Sequence, residues 1–408
     1  MHQPMTGVKV VEVAQFTFTP SAGAVLADWG ADVIKVEHAE MGDAQRGFGA
    51  GLGGVAEGRF HPIMEHPNRG KKSIGLSLDK PGGRQVLLDL CKDADVFLTN
   101  FLPAARRKLR IEVDDIRAAN PQIIYVRGSA HGPKGPDAEK GGYDGSTFWC
   151  RMGSAWGVTP ADSPKVISPP AGAYGDSMGG MTIAGGIAAA LFGRERTGEP
   201  SVVDVSLMSV GAWAMGLSLS NTLLTGVEQA QPPLSAPLGN PYNPIVGNFR
   251  TSDDRWITLM MLQPGRYWAD ACRHLGLDEL IDDERFDTAE KLIANAEEAG
   301  RYVADAIAEQ SFAYWLKQLQ TLEGQWSPVQ GPHDIIKDEQ LLANGGILPV
   351  VDADGVERHL VANPVQFDET PPVLTRAPQF AEQTDDLLRE LGLDEEAIIA
   401  LKIDGAVT

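Results

Sequence analysis

Asp176 has the neighbours that acyl-transfer chemistry requires. It lies in the run Tyr174-Gly175-Asp176-Ser177-Met178-Gly179-Gly180, at the start of a long helical pattern. Aspartate is a preferred N-cap residue, so a purely structural role fits this position. A carboxylate at a helix N-terminus is also held ionised by backbone N–H groups and the helix dipole, and it can attack an activated acyl group. Both interpretations, helix cap and nucleophile, fit the local pattern.

Two clusters of cationic side chains are candidates for binding a polyanion. One is Asn68-Arg69-Gly70-Lys71-Lys72-Ser73, in a turn before a strand, and the other is Arg106-Arg107-Lys108. The chain carries 35 Lys and Arg against 55 Asp and Glu, a formal net charge of −20. An acidic chain of this kind disfavours a nucleic-acid partner, so an anionic small molecule would need such a local cluster. Ordinary solvated surface charge explains the clusters equally well.

Several motifs of other enzyme classes are missing from the sequence. No GxGxxG follows the first strand, although Glu37 ends the second strand, where a dinucleotide-binding fold keeps its ribose-binding acid. There is no GxxxxGK[ST] phosphate loop and no GxSxG elbow, and the eight histidines show no HxxxH or HExxH spacing. Cys91, Cys150 and Cys272 lie far apart, which favours neither disulfides nor a zinc site. We therefore expect neither a metal site nor serine-hydrolase chemistry.

Length and composition indicate a multidomain, cytoplasmic protein. The chain has 408 residues, more than one typical domain, and 43% of them are hydrophobic. Residues 1–5 lack the pattern of a signal peptide, and the most apolar stretch, residues 181–192, is too short to span a bilayer. Three widely spaced cysteines fit a reducing compartment. We expect no membrane partner.

The spacing of apolar runs predicts strands that alternate with helices. The predicted strands are 8–14, 32–37, 73–78, 95–99, 122–126 and 201–206, and the helices between them include 21–29, 81–91, 113–119 and 178–196. Such units favour an α/β fold with a doubly wound parallel sheet. Ligands bind beyond the carboxyl ends of the strands in these sheets. Residues 15–19, His38, Asn100 and residues 129–131 all follow predicted strand ends.

Composition also predicts a division into domains. A large α/β domain is expected over residues 1–225, and a smaller α+β domain with its linkers over 226–330. The last segment, 331–408, is expected to return to the large domain. The two crossings are predicted at about 224–246, where Pro, Gly, Asn and Gln accumulate, and at 326–332.

The sequence resembles the class III CoA-transferase family. The opening stretches are GVKVVEV at 7–13, LADWGADVIKVE at 26–37 and GD at 42–43. The match continues through residues 68–78, 94–101, 142–144, 175–176, 194–198, 203–207, 254–257 and 387–392, in order and over nearly the whole chain. The family includes formyl-CoA and carnitine CoA-transferases and α-methylacyl-CoA racemase. The resemblance implies a homodimer of two interlocked, ring-like chains.

The resemblance also implies roles for individual residues. Asp176 falls on the family's nucleophilic aspartate. Coenzyme A, as acyl-CoA, is implied as a substrate, with a free carboxylic acid as the second substrate and no permanently bound cofactor. We add Lys71 and Lys72 to the expected CoA contacts because they are local cations. The full set of expected contacts is Thr17, Phe18, His38, Lys71, Lys72, Leu76, Asp79, Asn100, Phe101, Leu102, Lys108 and Tyr143. His38 and Lys108 stand where the family commonly has Arg, and neither can form the same bidentate phosphate contact.

Two enzymatic activities follow from this resemblance. In a CoA-transferase, Asp176 forms an aspartyl–acyl anhydride and then an aspartyl-CoA thioester, with backbone N–H groups near Gly179 and Gly180 stabilising the oxyanions. In the racemase branch, a His–Asp pair at the position of Tyr143-Asp144 supplies one of two acid–base groups. Tyrosine has an ordinary pKa near 10 and matches that role poorly at neutral pH. The sequence therefore favours the transferase.

Two non-transferase alternatives stay open at this point. One is a non-catalytic acyl-CoA-binding paralogue, against which the intact Gly175-Asp176-Ser177 argues. The other is a nicotinamide-dependent enzyme, against which the missing glycine fingerprint argues.

Overall fold

The computed structural model describes residues 3–48, 55–234 and 240–408. The chain divides into two compact units. The larger unit joins Met1–Gln231 with Glu339–Thr408, and the smaller unit is the continuous segment Pro232–Asp338. The sequence placed the corresponding crossings at 224–246 and 326–332.

A six-stranded parallel sheet forms the centre of the larger unit. Its strands are β1 (Lys9–Val13), β2 (Asp32–Glu37), β3 (Lys72–Gly75), β4 (Val96–Thr99), β5 (Ile124–Ser129) and β6 (Val202–Ser206). They are arranged in the order β3-β2-β1-β4-β5-β6, with every neighbouring pair parallel. The chain therefore has the predicted doubly wound sheet, whose order reverses between β1 and β4. In sheets of this kind ligands bind beyond the carboxyl ends of the strands near such a switch point.

Helices cover both faces of this sheet because successive side chains of each buried strand point to opposite faces. One core joins strand residues such as Val10 and Val126 to the helix residues Leu26 and Ile183. The core on the other face joins Val11, Phe97 and Tyr125 to apolar residues of helices before and after the sheet's central strands. The helices up to β6 are α1 (Phe18–Asp28), α2 (Pro62–Asn68), α3 (Pro81–Lys92), α4 (Pro103–Leu109), α5 (Val113–Arg117), α6 (Ser154–Val158) and α7 (Tyr174–Thr197).

Helices α1 and α7 lie unusually close to each other because glycines stand at their contact. A Cβ at Gly179 would lie 2.2 Å from the Phe18 ring, and a Cβ at Gly180 would lie 2.4 Å from Ser21 Cβ. Packing thus explains Gly179 and Gly180, whereas a Cβ at Gly185 or Gly193 would meet nothing within 4 Å. Helix α7 begins at Tyr174, four residues before its predicted start, and this places Asp176 in the first turn of the helix.

After β6 the chain forms α8 (Leu207–Ala214) and α9 (Gly216–Thr225). Both helices expose large apolar side chains, and α9 has no buried residue. In the part of the chain that the structure describes, no single helix is long and apolar enough to cross a membrane. The bent pair formed by α8 and α9, at 71° to each other, meets that length and composition test jointly.

The smaller unit is built on an antiparallel sheet of β7 (Val246–Arg250), β8 (Trp256–Met260) and β9 (Trp326–Pro328), in sequence order. Its core packs Phe249, Ile257 and Leu259 against aromatic and aliphatic helix residues. The helical stretch that starts at Ala289 is broken at Asn295. The helices of this unit are α10 (Pro264–Leu275), α11 (Ala289–Ala294), α12 (Ala296–Ala308), α13 (Phe312–Gln318) and α14 (Pro332–Ile335).

The last segment completes the larger unit. It contains α15 (Glu339–Ala343), the antiparallel pair β10 (Ile347–Val351) and β11 (Glu357–Val361), α16 (Thr384–Glu390) and α17 (Glu395–Ile403). The final residues lie beside β3, where Val407 pairs with Leu76 and Ser77 N donates to Ala406 O at 2.9 Å. The C-terminal residues thus cover the edge of the sheet next to the predicted ligand-binding end.

Candidate active site

The two loops at the switch point are joined by Asn100. Its side-chain oxygen accepts a hydrogen bond from Gln15 N at 3.0 Å, and its side-chain nitrogen donates to Gln15 O at 2.6 Å. Both polar atoms of the amide are therefore used to hold the loop after β1 against the loop after β4. Asn100, expected to contact CoA, lines the crevice but acts through its side chain as a support of the loop.

The loop after β1 has a strained backbone that buried polar groups stabilise. Phe16 has φ of 65°, in the left-handed region that non-glycine residues rarely adopt. Its N–H donates to Asp43 Oδ1 at 3.2 Å, and Thr17 Oγ1 donates to Gln45 Oε1 at 2.9 Å. Thr17, another expected CoA contact, is buried and its hydroxyl is already bonded within the protein.

A cavity of about 400 Å³ opens at the carboxyl ends of β1, β4 and β5. Five residues predicted from the sequence line it: Phe18, Asn100, Phe101, Leu102 and Tyr143. Asp176 also lines it, so the structure brings the candidate nucleophile to the same space as five of the expected CoA contacts. We call this space the acyl cavity. Its other lining residues include Phe16, Arg106, Arg127, Ser129, Lys140, Asp204 and Leu207.

Asp176 lies in the first turn of α7 and does not cap it. The N-cap residue is Ala173, and it makes no side-chain capping bond. Burial, together with the nearby charge of Asp144, raises the pKa of Asp176 to about 7. The sequence analysis expected the helix N-terminus to keep this carboxylate ionised, whereas burial and the Asp144 charge favour its protonated form. The Asp176 carboxyl is therefore only about half ionised at neutral pH.

Asp144 holds the start of α7 from outside the helix. Its Oδ2 accepts a hydrogen bond from Gly175 N at 3.3 Å, and its Oδ1 accepts one from Gly145 N at 2.6 Å. Gly175 also allows close packing, since a Cβ there would lie 2.5 Å from the Phe148 ring. The sequence analysis did not identify this supporting role, which depends on contact between residues 31 positions apart.

Tyr143 lies at the mouth of the acyl cavity. It is 65% exposed, and its ring packs edge-on against Phe16 with centroids 5.7 Å apart. The Phe16 ring in turn packs against Phe48 at 5.8 Å. Phe16 and Tyr143 both line the cavity, and Phe48 supports the Phe16 ring from outside it.

Gly179 and Gly180 do not supply oxyanion-binding N–H groups. They lie beyond the first turn of α7, where backbone N–H groups bond to carbonyls one turn earlier. Their function in the structure is the close contact with α1. The idea that their N–H groups stabilise a tetrahedral intermediate is corrected accordingly.

A second cavity, of about 240 Å³, lies at the ends of β1, β2 and β3. His38, Leu76, Asp79 and Lys108, all expected CoA contacts, line it, and Phe101 lines both cavities. We call it the nucleotide cavity. His38 Nδ1 accepts hydrogen bonds from the N–H groups of Glu40 at 3.2 Å and Met41 at 3.4 Å. In this tautomer Nε2 carries the proton and can donate to a ligand.

Glu37 is not available as a ribose-binding acid. Its side chain is fully buried, and its two oxygens accept bonds from Arg46 Nε and Nη2, both at 2.7 Å. Ser73 Oγ and Asp43 N also donate to it, at 2.7 and 2.9 Å. Burial opposes ionisation, but the Arg46 hydrogen bonds and the Lys35 charge lower the Glu37 pKa to about 2. The nicotinamide alternative loses its one supporting residue.

Lys71 does not reach either cavity. Its ammonium group is fully buried between both Glu12 oxygens, each at 2.8 Å, and also donates to Pro20 O and Asn68 Oδ1. Lys35 lies in the same buried cluster, 2.8 Å from Asp43. The expectation that Lys71 binds CoA phosphates is wrong, because this lysine neutralises a buried carboxylate.

Lys72 lies at the opposite end of the strands from the cavities. It is the first residue of β3, so it stands at the amino ends of the strands, and it pairs with Asp32 at 3.0 Å. Ligands bind beyond the carboxyl ends of the strands in a parallel sheet, so Lys72 is also removed from the expected CoA contacts.

One further contact near Asp176 was missed. His66 Nε2 lies 3.1 Å from Ser177 Oγ, and burial, with the Arg69 charge, lowers the pKa of His66 to about 4. The imidazole is therefore neutral at physiological pH and serves as a hydrogen-bond partner, not as a base.

Within residues 3–48, 55–234 and 240–408, no cluster of three or more His, Cys, Asp and Glu is arranged to hold a metal ion.

Comparison with known proteins agrees with this architecture. The chain is 30% identical to the (R)-2-hydroxy-4-methylpentanoate CoA-transferase of Clostridioides difficile, over 97% of each sequence. It is 29% identical to the cinnamoyl-CoA:phenyllactate CoA-transferase of Clostridium sporogenes, over 98% of this chain and 96% of that one. The structure of a CAIB/BAIF family protein from Brucella suis superposes with a TM-score of 0.80 at 27% identity, covering 96% of this chain and 100% of that one. The sequence profile of CoA-transferase family III matches residues 5–384, and the chain belongs to that family.

Proposed function

We propose that this CoA-transferase moves CoA from an acyl-CoA to a free carboxylic acid through covalent intermediates on Asp176. The observation that carries the proposal is the position of Asp176 in the acyl cavity, partly buried and in the first turn of α7. Among the described residues no group donates a hydrogen bond to its carboxylate, so the ionised form is poorly solvated. A carboxylate in that state is a stronger nucleophile than one in water.

The first half-reaction activates Asp176. A carboxylate oxygen of Asp176 attacks the thioester carbonyl carbon, the C–S bond breaks, and CoA leaves as the thiolate. The product is a mixed aspartyl–acyl anhydride. The thiolate then attacks the Asp176 carbonyl carbon of that anhydride, the donor acid leaves as its carboxylate, and an aspartyl-CoA thioester remains.

The second half-reaction runs the same steps with the new acid. The acceptor carboxylate attacks the aspartyl-CoA carbonyl, releases CoA thiolate and forms a second mixed anhydride. Thiolate attack on the acceptor's acyl carbon then gives the new acyl-CoA and regenerates the Asp176 carboxylate. Each step exchanges one activated acyl group for another, so the sequence balances without ATP or a redox partner.

The two cavities suggest how CoA is held. The adenosine end fits the nucleotide cavity, where Lys108 is an exposed cation, His38 offers a ring N–H and Leu76 is apolar. The pantetheine arm would pass Phe101, which borders both cavities, and bring the thioester to Asp176. Nine of the twelve expected contacts line one of the two cavities; Thr17, Lys71 and Lys72 line neither.

The racemase alternative finds little support in the site. It requires two acid–base groups on opposite faces of an α-carbon. Asp176, with its pKa raised to about 7, would suit one of these roles. The other would fall to Tyr143, an exposed tyrosine packed against Phe16, which makes the transferase the better interpretation.

We also propose that the protein is a homodimer with interlocked chains. Helices α8 and α9 expose Trp213, Leu217, Leu223 and Leu224 by 78–87% of their surface. Monomeric proteins rarely expose so many large apolar side chains along one segment. A second copy of the chain is the occupant we propose for this surface.

The chemistry is tested by trapping the activated aspartate. Hydroxylamine added during turnover with an acyl-CoA should inactivate the enzyme and leave a hydroxamate on the peptide that carries Asp176, detectable by mass spectrometry. Hydroxylamine without acyl-CoA is the control and should leave the peptide unchanged. Rapid uptake of solvent deuterium into the α-carbon of a 2-methylacyl-CoA, with Asp176 unmodified, would instead establish the racemase.

A further inference from the structure

The acyl cavity contains an ion pair that the proposed chemistry does not use. Arg127 of β5 and Asp204 of β6 are directly paired across the two strands, and both line the cavity. Arg127 Nε lies 2.6 Å from Asp204 Oδ1 and Arg127 Nη2 lies 2.9 Å from Oδ2. Their side chains are only 20% and 32% exposed. This pair therefore forms part of the cavity wall.

The geometry of the pair leaves one edge of the guanidinium unoccupied. Asp204 binds the side edge, formed by Nε and Nη2, and so fixes the plane of the group. Within the described part of the chain, no protein atom accepts a hydrogen bond from Nη1. The end edge of a guanidinium, formed by Nη1 and the second N–H of Nη2, matches the two oxygens of a carboxylate. Arg127 is thus a fixed, ionised donor with a free fork.

The position of Arg127 argues against a role in holding the CoA nucleotide. The nucleotide cavity lies at the ends of β1, β2 and β3, whereas Arg127 is on β5, beyond β4 in the sheet order. Phe101, which follows β4, borders both cavities and separates Arg127 from that nucleotide-binding end. Arg127 and Asp176 instead line one continuous cavity.

The charge of the cavity lining also favours an anion. Besides Asp176, the charged lining residues are Arg106, Arg127, Lys140 and Asp204, an excess of positive charge in a chain whose formal net charge is −20. Arg106 is partly engaged, by Phe101 O at 2.7 Å and Glu112 at 3.3 Å, and Lys140 pairs with Asp137 at 2.8 Å. Arg127 is the cation among these that has both a fixed orientation and an open fork.

We propose that Arg127 binds a second carboxylate on the substrate acid, so that the enzyme transfers CoA to and from dicarboxylic acids. This rests on the proposed function: one carboxylate of the acid is activated on Asp176 while the other is held by Arg127. Asp204 orients Arg127 and is a positioning residue. A monocarboxylic acid of the same length leaves the fork empty and is bound less well.

The test is isotope exchange between an acid and its own CoA thioester, which needs one acid at a time. Wild-type enzyme should exchange labelled glutarate with glutaryl-CoA at least 10-fold faster than labelled valerate with valeryl-CoA. Arg127→Met should slow the glutarate exchange about 10-fold more than the valerate exchange, so that the wild-type preference is lost. Asp204→Asn keeps one acceptor beside Arg127 but loses the two-oxygen contact that fixes its plane, so the preference for glutarate should fall without being abolished.

Arg127→Lys provides a second variant if Arg127→Met does not fold, as judged by circular dichroism. It retains a charge beside Asp204 but lacks the fork, so the preference for glutarate should still fall. Equal exchange of glutarate and valerate by the wild type would overturn the proposal, as would equal slowing of both by Arg127→Lys, which would indicate a CoA contact. If the wild type exchanged 2-hydroxyvalerate faster than glutarate, and the variants lost that difference, Arg127 would bind a substrate hydroxyl and the dicarboxylate proposal would be overturned. No exchange with any acid, and no hydroxamate on Asp176, would instead refute the proposed function.

Discussion

Asp176 shows how one carboxyl group combines two opposed requirements. Burial beside Asp144 raises its pKa to about 7, so ionisation costs the folded protein free energy. The same burial leaves the ionised oxygen poorly solvated and therefore reactive. A carboxylate with a pKa near 4 would be fully ionised at neutral pH but would also be a weaker nucleophile and a better leaving group from the anhydride.

The raised pKa predicts a specific pH dependence of stability. The native state holds the Asp176 proton more tightly than the unfolded state, so the free energy of unfolding falls as pH rises from about 4 through 7. Asp176→Asn should remove this loss and be more stable than wild type at pH 8, by up to about 4 kcal/mol, since each pKa unit is worth about 1.4 kcal/mol. The difference should vanish near pH 4. Urea denaturation across this range, with the exposed Glu199→Gln as control, measures it; a constant difference at all pH values would contradict the assignment.

The rate of the transferase should depend on pH for the same reason. Because Asp176 must be ionised to attack, kcat/KM should rise with pH to a plateau, with a midpoint near 7. Asp144→Asn removes the neighbouring negative charge but keeps an oxygen that accepts from Gly175 N. Its midpoint should move to lower pH, as read from a pH–rate profile. An unchanged midpoint would mean that Asp144 does not influence the nucleophile.

Two lysines distinguish the end of the sheet at which we propose that CoA binds from its opposite end. Lys108 lines the nucleotide cavity, whereas Lys72 pairs with Asp32 at the amino ends of the strands. Lys108→Gln should raise KM for every acyl-CoA roughly 10-fold, about 1.4 kcal/mol, with little change in kcat. Lys72→Gln is the matched control and should leave KM unchanged. Steady-state kinetics with two acyl-CoAs decides; a rise in KM for Lys72→Gln would return that lysine to the site.

At the scale of elements, the contact between α1 and α7 positions the site. Helix α1 carries Phe18, a wall of the acyl cavity, and α7 carries Asp176, so the close approach of the two helices sets the separation of these side chains. The glycines at the contact permit that approach. Larger residues there would push the helices apart and displace Asp176 from the cavity wall.

A pair of glycine substitutions on α7 tests this contact. Gly180→Ala places a Cβ 2.4 Å from Ser21 Cβ and 3.0 Å from Phe18 O, and should destabilise the protein by about 1–3 kcal/mol and lower kcat. Gly185→Ala meets nothing within 4 Å and should stabilise by about 0.5–1 kcal/mol, because glycine disfavours helices. Thermal denaturation and turnover are the measurements. Equal effects of the two changes would show that helix propensity, not packing, governs α7.

The elements were largely predictable from the sequence, and the partners of charged side chains were not. The alternation of apolar runs predicts all six strands of the parallel sheet, and the end-of-strand rule places His38 and Asn100 at the cavities. Lys71 shows where this reasoning stops: its burial against Glu12 joins residues 59 positions apart, and no local pattern encodes that contact. The position of Lys72 could have been predicted, because a residue at the start of a parallel strand lies at the amino ends of the strands, away from the ligand-binding end.

The site followed a similar division. A candidate nucleophile at Asp176 could be named from its helix signal and from the family resemblance. The raised pKa of Asp176 could not be predicted from the sequence, because desolvation depends on how closely α7, Phe148 and the loop at Asp144 pack. Arg127 and Asp204 gave no signal, because the register between β5 and β6 is what pairs them.

For the whole molecule, the apolar surface of α8 and α9 predicts the oligomeric state. Sedimentation should show a particle of twice the 43.8 kDa chain mass at nanomolar concentration. A double change of Leu223 and Leu224 to Asp should shift it toward the monomer, because charged groups would be buried in the interface. Glu199→Asp, at an exposed position after α7, serves as the control. A wild-type monomer that is folded and active would contradict the dimer.

The contact of the last residues with β3 has a consequence for synthesis on the ribosome. Residues 406–408 bond to Ser77, Leu76 and Gly75, and Thr384 and Gln383 bond to β3 from the same segment. A nascent chain therefore presents an uncovered sheet edge, beside the wall that Leu76 contributes to the nucleotide cavity, until translation has passed residue 408. The smaller unit is a continuous segment, so it leaves the exit tunnel earlier and can fold first. The larger unit cannot complete its sheet edge until residues 406–408 are available. The end of the sheet at which we propose that CoA binds is therefore completed only after residues 406–408 have been made, later than the smaller unit.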